Sequence, residues 1–325
     1  LTNSSSERSN MKAKNENQQL KSSGILVLAS LIWGISFAFQ SMGGKALGAY
    51  TFNSARLLLG ALMLFIITRF SDNWGISKRP VTREEKKLQF TTGLLCGIFL
   101  CIATNLQQVA LNLGSAAGKA GFLTATYILM VPLICLFFKQ MCGWNVWVAV
   151  AIALVGLYFL CMQGAFSFST PDILLLLCAL GFSLQILVID RRGQKVDSLR
   201  LSGMQFLVAG VITLFPAVFL EIIPYEGGFS AWAGLWTSGS MWISLLYMGI
   251  MSCGVAYTLQ IFGQKGLQPA IASVLMSLEA VFSVLFGWII LGEKLSGREL
   301  FGCLLIFVAV ILAQLRFNKT NNDTV

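Results

Sequence analysis

LLCGIFLCIATNLQQVALNLG (residues 94–114) and LYMGIMSCGVAYTLQIFGQKG (residues 246–266) lie 152 positions apart and share Leu94/Leu246, Gly97/Gly249, Ile98/Ile250, Cys101/Cys253, Gln108/Gln260 and Gly114/Gly266. Continued without a gap to residues 133 and 285, the alignment adds Ala120/Ala272, Leu123/Leu275 and Leu133/Leu285, nine identities in 40 positions. The polar residues carry more weight than the identities. Cys101, Asn105, Gln108 and Asn112 follow at steps of four, three and four, the spacing of one helical face, and Cys253, Tyr257, Gln260 and Gln264 repeat the ladder. Amides on an otherwise apolar helix have two uses: hydrogen-bond glue between helices, about 0.6–2 kcal/mol a contact, or one wall of a hydrated cavity. Two ladders in register predict a repeated unit whose copies face one shared, partly hydrated space.

Composition says what solvent surrounds that unit. Of 325 residues 56% are hydrophobic and 11% charged, with a mean hydropathy of +0.75, far too apolar for a water-soluble domain, where about 25% of residues are charged. About 20 apolar residues cross one bilayer. Ten such runs are expected, near 24–43, 49–69, 89–112, 116–138, 143–163, 170–190, 200–220, 241–262, 268–291 and 297–316. An odd number of crossings per half sends the second half into the membrane upside down. The fold class expected is therefore an all-α membrane protein, ten transmembrane helices arranged as two inverted five-helix repeats (24–163 and 170–316) around a central cavity. A disordered cytoplasmic N-terminal tail (1–23) and a cytoplasmic C-terminal tail (317–325) complete the expected organisation.

Charge sets the orientation. With the N-terminus inside, eighteen of the 23 lysines and arginines fall on inside segments. Only Lys45, Lys119, Lys294 and Arg298 fall outside, and Arg56 lies within a span. That asymmetry places both termini in the cytoplasm of a multi-pass cell-membrane protein. The net charge of +9 then reports orientation and contact with anionic lipid, and nucleic acid is not an expected partner. The polar first residues precede a full-length apolar run, so no cleavable signal peptide is expected, and Met11 is a candidate natural start. Eight cysteines without metal or redox spacing read as small apolar fillers, and histidine is absent. No metal or cofactor is expected.

Against this background Glu279 stands out, in SVLMSLEAVFSVLFGW (273–288). It lies about 12 residues, or roughly 18 Å, into its span, close to the midplane. Insertion of an acid at that depth costs on the order of 3 kcal/mol, so the side chain needs a partner, water or a cavity. It reads either as a structural carboxylate between the halves or as a cavity residue that binds substrate or carries a proton. Its counterpart at −152 is Tyr127. Arg56, with Asn53 and Gly60 on its face, suits a packed polar interface within the membrane. Trp33 and Phe37 stand one turn apart, as packing or as a cavity wall. Pro132 predicts a kink in the fourth span, and Gly114, Gly118 and Gly121 mark its outer end as a hinge or a close-packed crossing.

SLIWGISFAF, ARLLLGALML, GSAAGKAGFLTATYILMVPLI and SVLMSLEAVFSVLFGWIILGEKLSGRELFGCLLIFVAVIL together resemble the spans of the drug/metabolite transporter superfamily in its ten-span EamA-type branch, over residues 24–316. Where that family places proline after the glutamate this chain has Ala280, which predicts a straighter ninth span. The resemblance implies two inverted five-helix repeats around a substrate cavity, here lined by Trp33, Phe37, Asn105, Gln108, Tyr127, Gln185, Tyr257, Gln260 and Glu279. It also implies a secondary transporter that exports an amino acid, amine or drug-like metabolite by alternating access, with a passive channel-like facilitator as the alternative. A small-molecule substrate and the bilayer are the expected partners; a monomer suffices, with self-association left open. No Walker A element is present, and the missing histidine and GxGD element argue against an intramembrane protease, so no enzymatic activity is expected.

Overall fold

The structure is a computed structural model that describes the backbone of residues 2–73, 79–115, 117–140, 142–161, 169–291 and 296–314. The expected C-terminal tail, Gly292, Glu293 and the side chain of Lys119 lie outside the described residues. Among the described residues every regular element is helical. The first half runs α1 (Thr2–Leu47), α2 (Ala49–Asn73), α3 (Arg83–Asn112), α4 (Ala117–Ala125), α5 (Tyr127–Phe137) and α6 (Trp144–Cys161). The second runs α7 (Thr170–Arg192), α8 (Ser198–Pro216), a π-helical turn Ala217–Ile222, α9 (Gly228–Gly234), α10 (Gly239–Leu246), a π-helical segment Tyr247–Ala256, α11 (Tyr257–Gln264), α12 (Pro269–Met276), α13 (Leu278–Leu291) and α14 (Gly297–Gln314).

Eight helical runs are long and apolar enough to cross a bilayer: Asn17–Leu47, Ala49–Asp72, Arg83–Asn112, Ala120–Phe137, Thr170–Lys195, Ser198–Ile222, Gly239–Gln264 and Pro269–Phe286. A shorter apolar helix, Trp144–Phe159, packs along α14. Each of the ten expected spans meets a helix, and eight of these runs are both long and apolar enough to cross a bilayer among the described residues. Helix α1 differs from expectation at its start. The stretch set down as a disordered tail is continuous with the first span, and it contains neither glycine nor proline before Gly24. Residue 24 therefore marks a change of polarity within one helix.

Several helices begin on side-chain caps. Thr82 and Glu85 cap α3 reciprocally, and Ser169 and Asp172 do the same for α7. Ser296 and Glu299 repeat the device at α14, with Ser296 N and Oγ both donating to Glu299 Oε2 at 2.7 Å. These contacts satisfy backbone donors that a helix end leaves open. At the turn into α2, Gly48 takes a left-handed φ of 92°. The Glu221 carboxylate there accepts from Tyr50 N at 2.9 Å and Thr51 N at 2.7 Å, tying the π turn after α8 to the start of α2.

Helix packing is reciprocal between the halves. Helix α1 lies against α13, α11 and the π segment of the second half, while α7 lies against α3, α4 and α5 of the first; α2 pairs with α8, and α6 with α14. Lipid tails are as apolar as leucine, so close approach of small residues and polar contacts hold such helices together. The seven cysteines with described side chains are all free thiols, six of them buried.

Two of the long helical runs, Ala120–Phe137 and Pro269–Phe286, are each interrupted by a single residue that keeps right-handed helical dihedrals. α4 gives way to α5 at Thr126 (φ −62°, ψ −8°), and α12 gives way to α13 at Ser277 (φ −63°, ψ −13°). In both, the hydroxyl turns back onto the carbonyl three residues earlier, Thr126 Oγ1 to Leu123 O at 2.6 Å and Ser277 Oγ to Val274 O at 2.7 Å. Back-bonding of this kind bends helices. Pro132 lies inside helix α5, six residues after the interruption at Thr126. In the ninth span the interruption falls at Ser277, three residues before Ala280.

Candidate functional site

Each interruption is followed at once by a polar residue that reaches the centre of the molecule. Tyr127 opens α5 and Glu279 is the second residue of α13, and the Tyr127 hydroxyl donates to Glu279 Oε1 at 3.2 Å. These two residues are repeat counterparts. The bond joins the two halves of the chain. Both side chains are buried, Tyr127 at 4% and Glu279 at 7% exposure.

They line a central cavity with about 50 Å³ open to water centres. One water needs roughly 10–15 Å³ on that measure, so the space holds a few waters and no larger solute until its walls move. α1 contributes Trp33, Ser36, Phe37 and Gln40; α2 contributes Arg56 and Leu57; α3 contributes Thr104 and Gln107. From the second half come Phe182, Ile186, Ser252, Cys253, Tyr257, Gln260 and Met276. The aromatic side is ordered by edge-to-face contacts of Tyr257 with Trp33, centroids 4.8 Å apart, and with Phe206 at 5.3 Å. Its polar side is wired by Gln40 Nε2 to Gln107 Oε1 at 3.0 Å and Gln107 Nε2 to Thr124 Oγ1 at 3.2 Å.

Of the nine residues assigned to the cavity from sequence, Trp33, Phe37, Tyr127, Tyr257, Gln260 and Glu279 lie on its wall. Asn105, Gln108 and Gln185 do not. Asn105 turns to the seam with α2 and α8, accepting from Asn53 Nδ2 and donating to Thr213 Oγ1, each at 2.7 Å. Gln108 binds Asn112 Oδ1 at 3.0 Å and the Gln40 carbonyl at 3.4 Å. Gln185 stands behind the wall, accepting from Gln260 at 3.2 Å and donating to Gln205 at 3.1 Å. Arg56, assigned to a packed polar interface, is buried against Asn53 and also lies on the wall.

The phase error on α3 has a cause. The eighth span contains the π-helical segment Tyr247–Ala256, whose wider turns accommodate an extra residue and rotate the remainder of that helix. α3 has no such segment. A gapless shift of 152 therefore matches the sequences but not the faces: Tyr257 and Gln260 find their wall equivalents at Thr104 and Gln107, a shift of 153. No feature of residue type foretells this, although the run of Gly249, Ser252 and Gly254 is the place where a π turn is most easily housed. Because Gln108 is glue and not wall, Gln108→Leu is expected to lower stability by about 0.6–2 kcal/mol while leaving ligand affinity unchanged. Thermal midpoints in detergent, with and without ligand, check this.

Both ends of the bundle are latched. At the end the charge pattern places inside, Arg200 Nη2 lies 2.6 Å from both Asp72 oxygens, Arg79 Nε lies 2.8 Å from Asp72 Oδ2, and Asp197 N donates to Gln89 Oε1 at 3.0 Å. At the other end Glu221 holds α2, and Asn112 Nδ2 donates to Gly44 O at 3.0 Å.

Comparison with known proteins agrees with this architecture. The EamA-like transporter family matches twice, over residues 21–162 and 169–315. An uncharacterized transporter of Archaeoglobus fulgidus is 28% identical over 296 residues, covering 90% of this chain and 85% of that protein. The uncharacterized transporter YoaV of Bacillus subtilis is 22% identical over 301 residues, covering 90% and 97%. A solved crystal structure superposes with a TM-score of 0.72 at 17% identity, covering 90% of this chain and 96% of that one, a likeness of fold alone.

Proposed function

The chain belongs to the EamA-like transporter family and is a membrane transporter, not an enzyme, and on that premise we propose that it is a secondary carrier exporting a small amphiphilic metabolite, such as an amino acid, amine or drug-like compound, from the cytoplasm by alternating access. In this reading ten helices form two inverted repeats in the cell membrane, with both termini cytoplasmic, and the substrate sits among Trp33, Phe37, Tyr127, Tyr257, Gln260 and Glu279. Glu279 carries the coupling proton.

The observation that carries the proposal is the Tyr127–Glu279 hydrogen bond between repeat counterparts, each one or two residues beyond a helix interruption. Discontinuous helices meeting at the midplane are how inverted-repeat transporters place substrate and ion sites. An interruption is also where two half-helices can tilt independently, opening the cavity to one side while the latch at the other stays shut. The latches Asp72–Arg200 inside and Glu221–α2 outside supply the two ends of such a cycle.

Counterflow tests it. Purified protein in proteoliposomes is expected to show saturable exchange, with unlabelled substrate on one side accelerating movement of labelled substrate from the other. Flux that rises linearly with concentration and shows no trans-acceleration would identify a passive facilitator and end the carrier reading.

A further inference from the structure

We propose that Arg56 is the binding site for a carboxylate on the substrate, so that the transported solute is an amino-acid-like zwitterion. This rests on the carrier reading above and deepens it. Arg56 is 4% exposed, lies in the membrane-crossing part of α2 and lines the central cavity. Its Nε donates to Asn53 Oδ1 at 2.8 Å. Asn53 is itself fixed, its Nδ2 donating to Thr104 Oγ1 at 3.2 Å and Asn105 Oδ1 at 2.7 Å, and Asn105 is anchored on Thr213. This train of neutral groups holds the plane of the guanidinium without neutralising its charge.

Among the described residues no acceptor takes either Nη group, and no carboxylate pairs with the cation. Glu279, the acid on the same wall, is bonded to Tyr127. A cation this deep in a membrane is costly without a partner. An interior built only for packing would place the acid against the base. Here they are kept apart, each held by neutral groups, and the fork of four Nη hydrogens is left to the cavity. That fork fits a planar carboxylate in two parallel hydrogen bonds.

The rest of the wall completes a zwitterion site. Trp33 presents an indole N–H without a partner, and Gln260 an Oε1 without a donor. Glu279 and Gln260 are acceptors suited to an ammonium group. Phe37, Phe182, Ile186 and Tyr257 offer apolar surface for a side chain.

Two matched series test the assignment by thermal stabilisation of the purified full chain, since a ligand of the folded state raises its apparent stability. The probes are L-leucine, isopentylamine and 4-methylpentanoate, and L-phenylalanine, phenethylamine and 3-phenylpropanoate. In the wild type at least one amino acid is expected to bind more tightly than its amine. Arg56→Gln should weaken the carboxylated probes on the order of 10- to 100-fold, the size of a charge-assisted pair, and leave the amines as before. Arg56→Lys, which keeps the charge but not the fork, should fall between, and it remains readable if the glutamine variant does not fold.

Stabilisation by amines alone, by no carboxylated probe, or equal binding of carboxylated probes to wild type and to a folded Arg56 variant would each overturn the assignment. Counterflow separates the two readings. Exchange of amines without carboxylated solutes leaves the carrier standing and removes the Arg56 site. Carboxylate binding that depends on Arg56 but gives no counterflow does the reverse.

Discussion

Glu279→Gln is expected to abolish accumulation of substrate against a gradient and, because Glu279 also faces the bound solute, to weaken but not remove counterflow at equal pH. Glutamine has the shape of the acid and keeps an oxygen for the Tyr127 hydroxyl, so the meeting point of the two halves survives. What it lacks is a proton to exchange. A pH difference of one unit is worth about 1.4 kcal/mol per proton, enough for about tenfold accumulation by a one-for-one exchange. The wild type should approach that ratio in proteoliposomes, and the variant should stay at unity. No histidine exists in the chain, and the described acids other than Glu279 lie off the cavity wall. Asp172 is a helix cap and Asp72 is paired with arginines. Persistent pH-driven accumulation by the glutamine variant would remove Glu279 as the carrier of the proton. Complete loss of counterflow together with accumulation would mean that the carboxylate is indispensable to substrate binding or to the fold.

How much of this was legible beforehand follows from what each signal measures. Hydropathy counts apolar length, so it located the helices but not their continuity. It gave no hint that polar residues before Gly24 extend α1, because helix propensity and apolarity are separate properties. The 152-residue shift paired Tyr127 with Glu279, and the two side chains are hydrogen-bonded. The same shift misplaced Asn105 and Gln108, because a π segment in one repeat and not the other rotates one face against its copy. The helix interruptions lie at Thr126 and Ser277, where hydroxyls compete for backbone carbonyls. Arg56 was read with Asn53 and Gly60 as part of a packed polar interface, and its Nε does bind Asn53; that its Nη groups face the cavity is visible only when the hydrogen bonds are traced.

Gly34→Val is expected to yield little folded protein, and the reason lies in how the wall of the cavity is joined. Gly34 sits between Trp33 and Phe37 on α1, at the crossing with α13. A Cβ added there would overlap the Cβ of Phe282 and stand 2.9 Å from the backbone C of Phe282 and N of Ser283. Backbone atoms cannot rotate away, so relief requires α1 and α13 to separate, and α13 is the helix that carries Glu279. Overpacking costs about 1–3 kcal/mol when side chains can adjust, and more when they cannot. Alanine gives a finer measurement. Within a helix it is favoured over glycine by about 1 kcal/mol, so Gly24→Ala, also on α1 but with nothing within 4 Å of its added Cβ, should raise the thermal midpoint in detergent. Gly34→Ala should lower it despite the same gain in propensity, and the opposite signs isolate the crossing from the helix. A Gly34→Ala protein as stable as wild type would show that α1 and α13 are not in backbone contact at this point, and the wall would then have to be rebuilt with the two helices further apart.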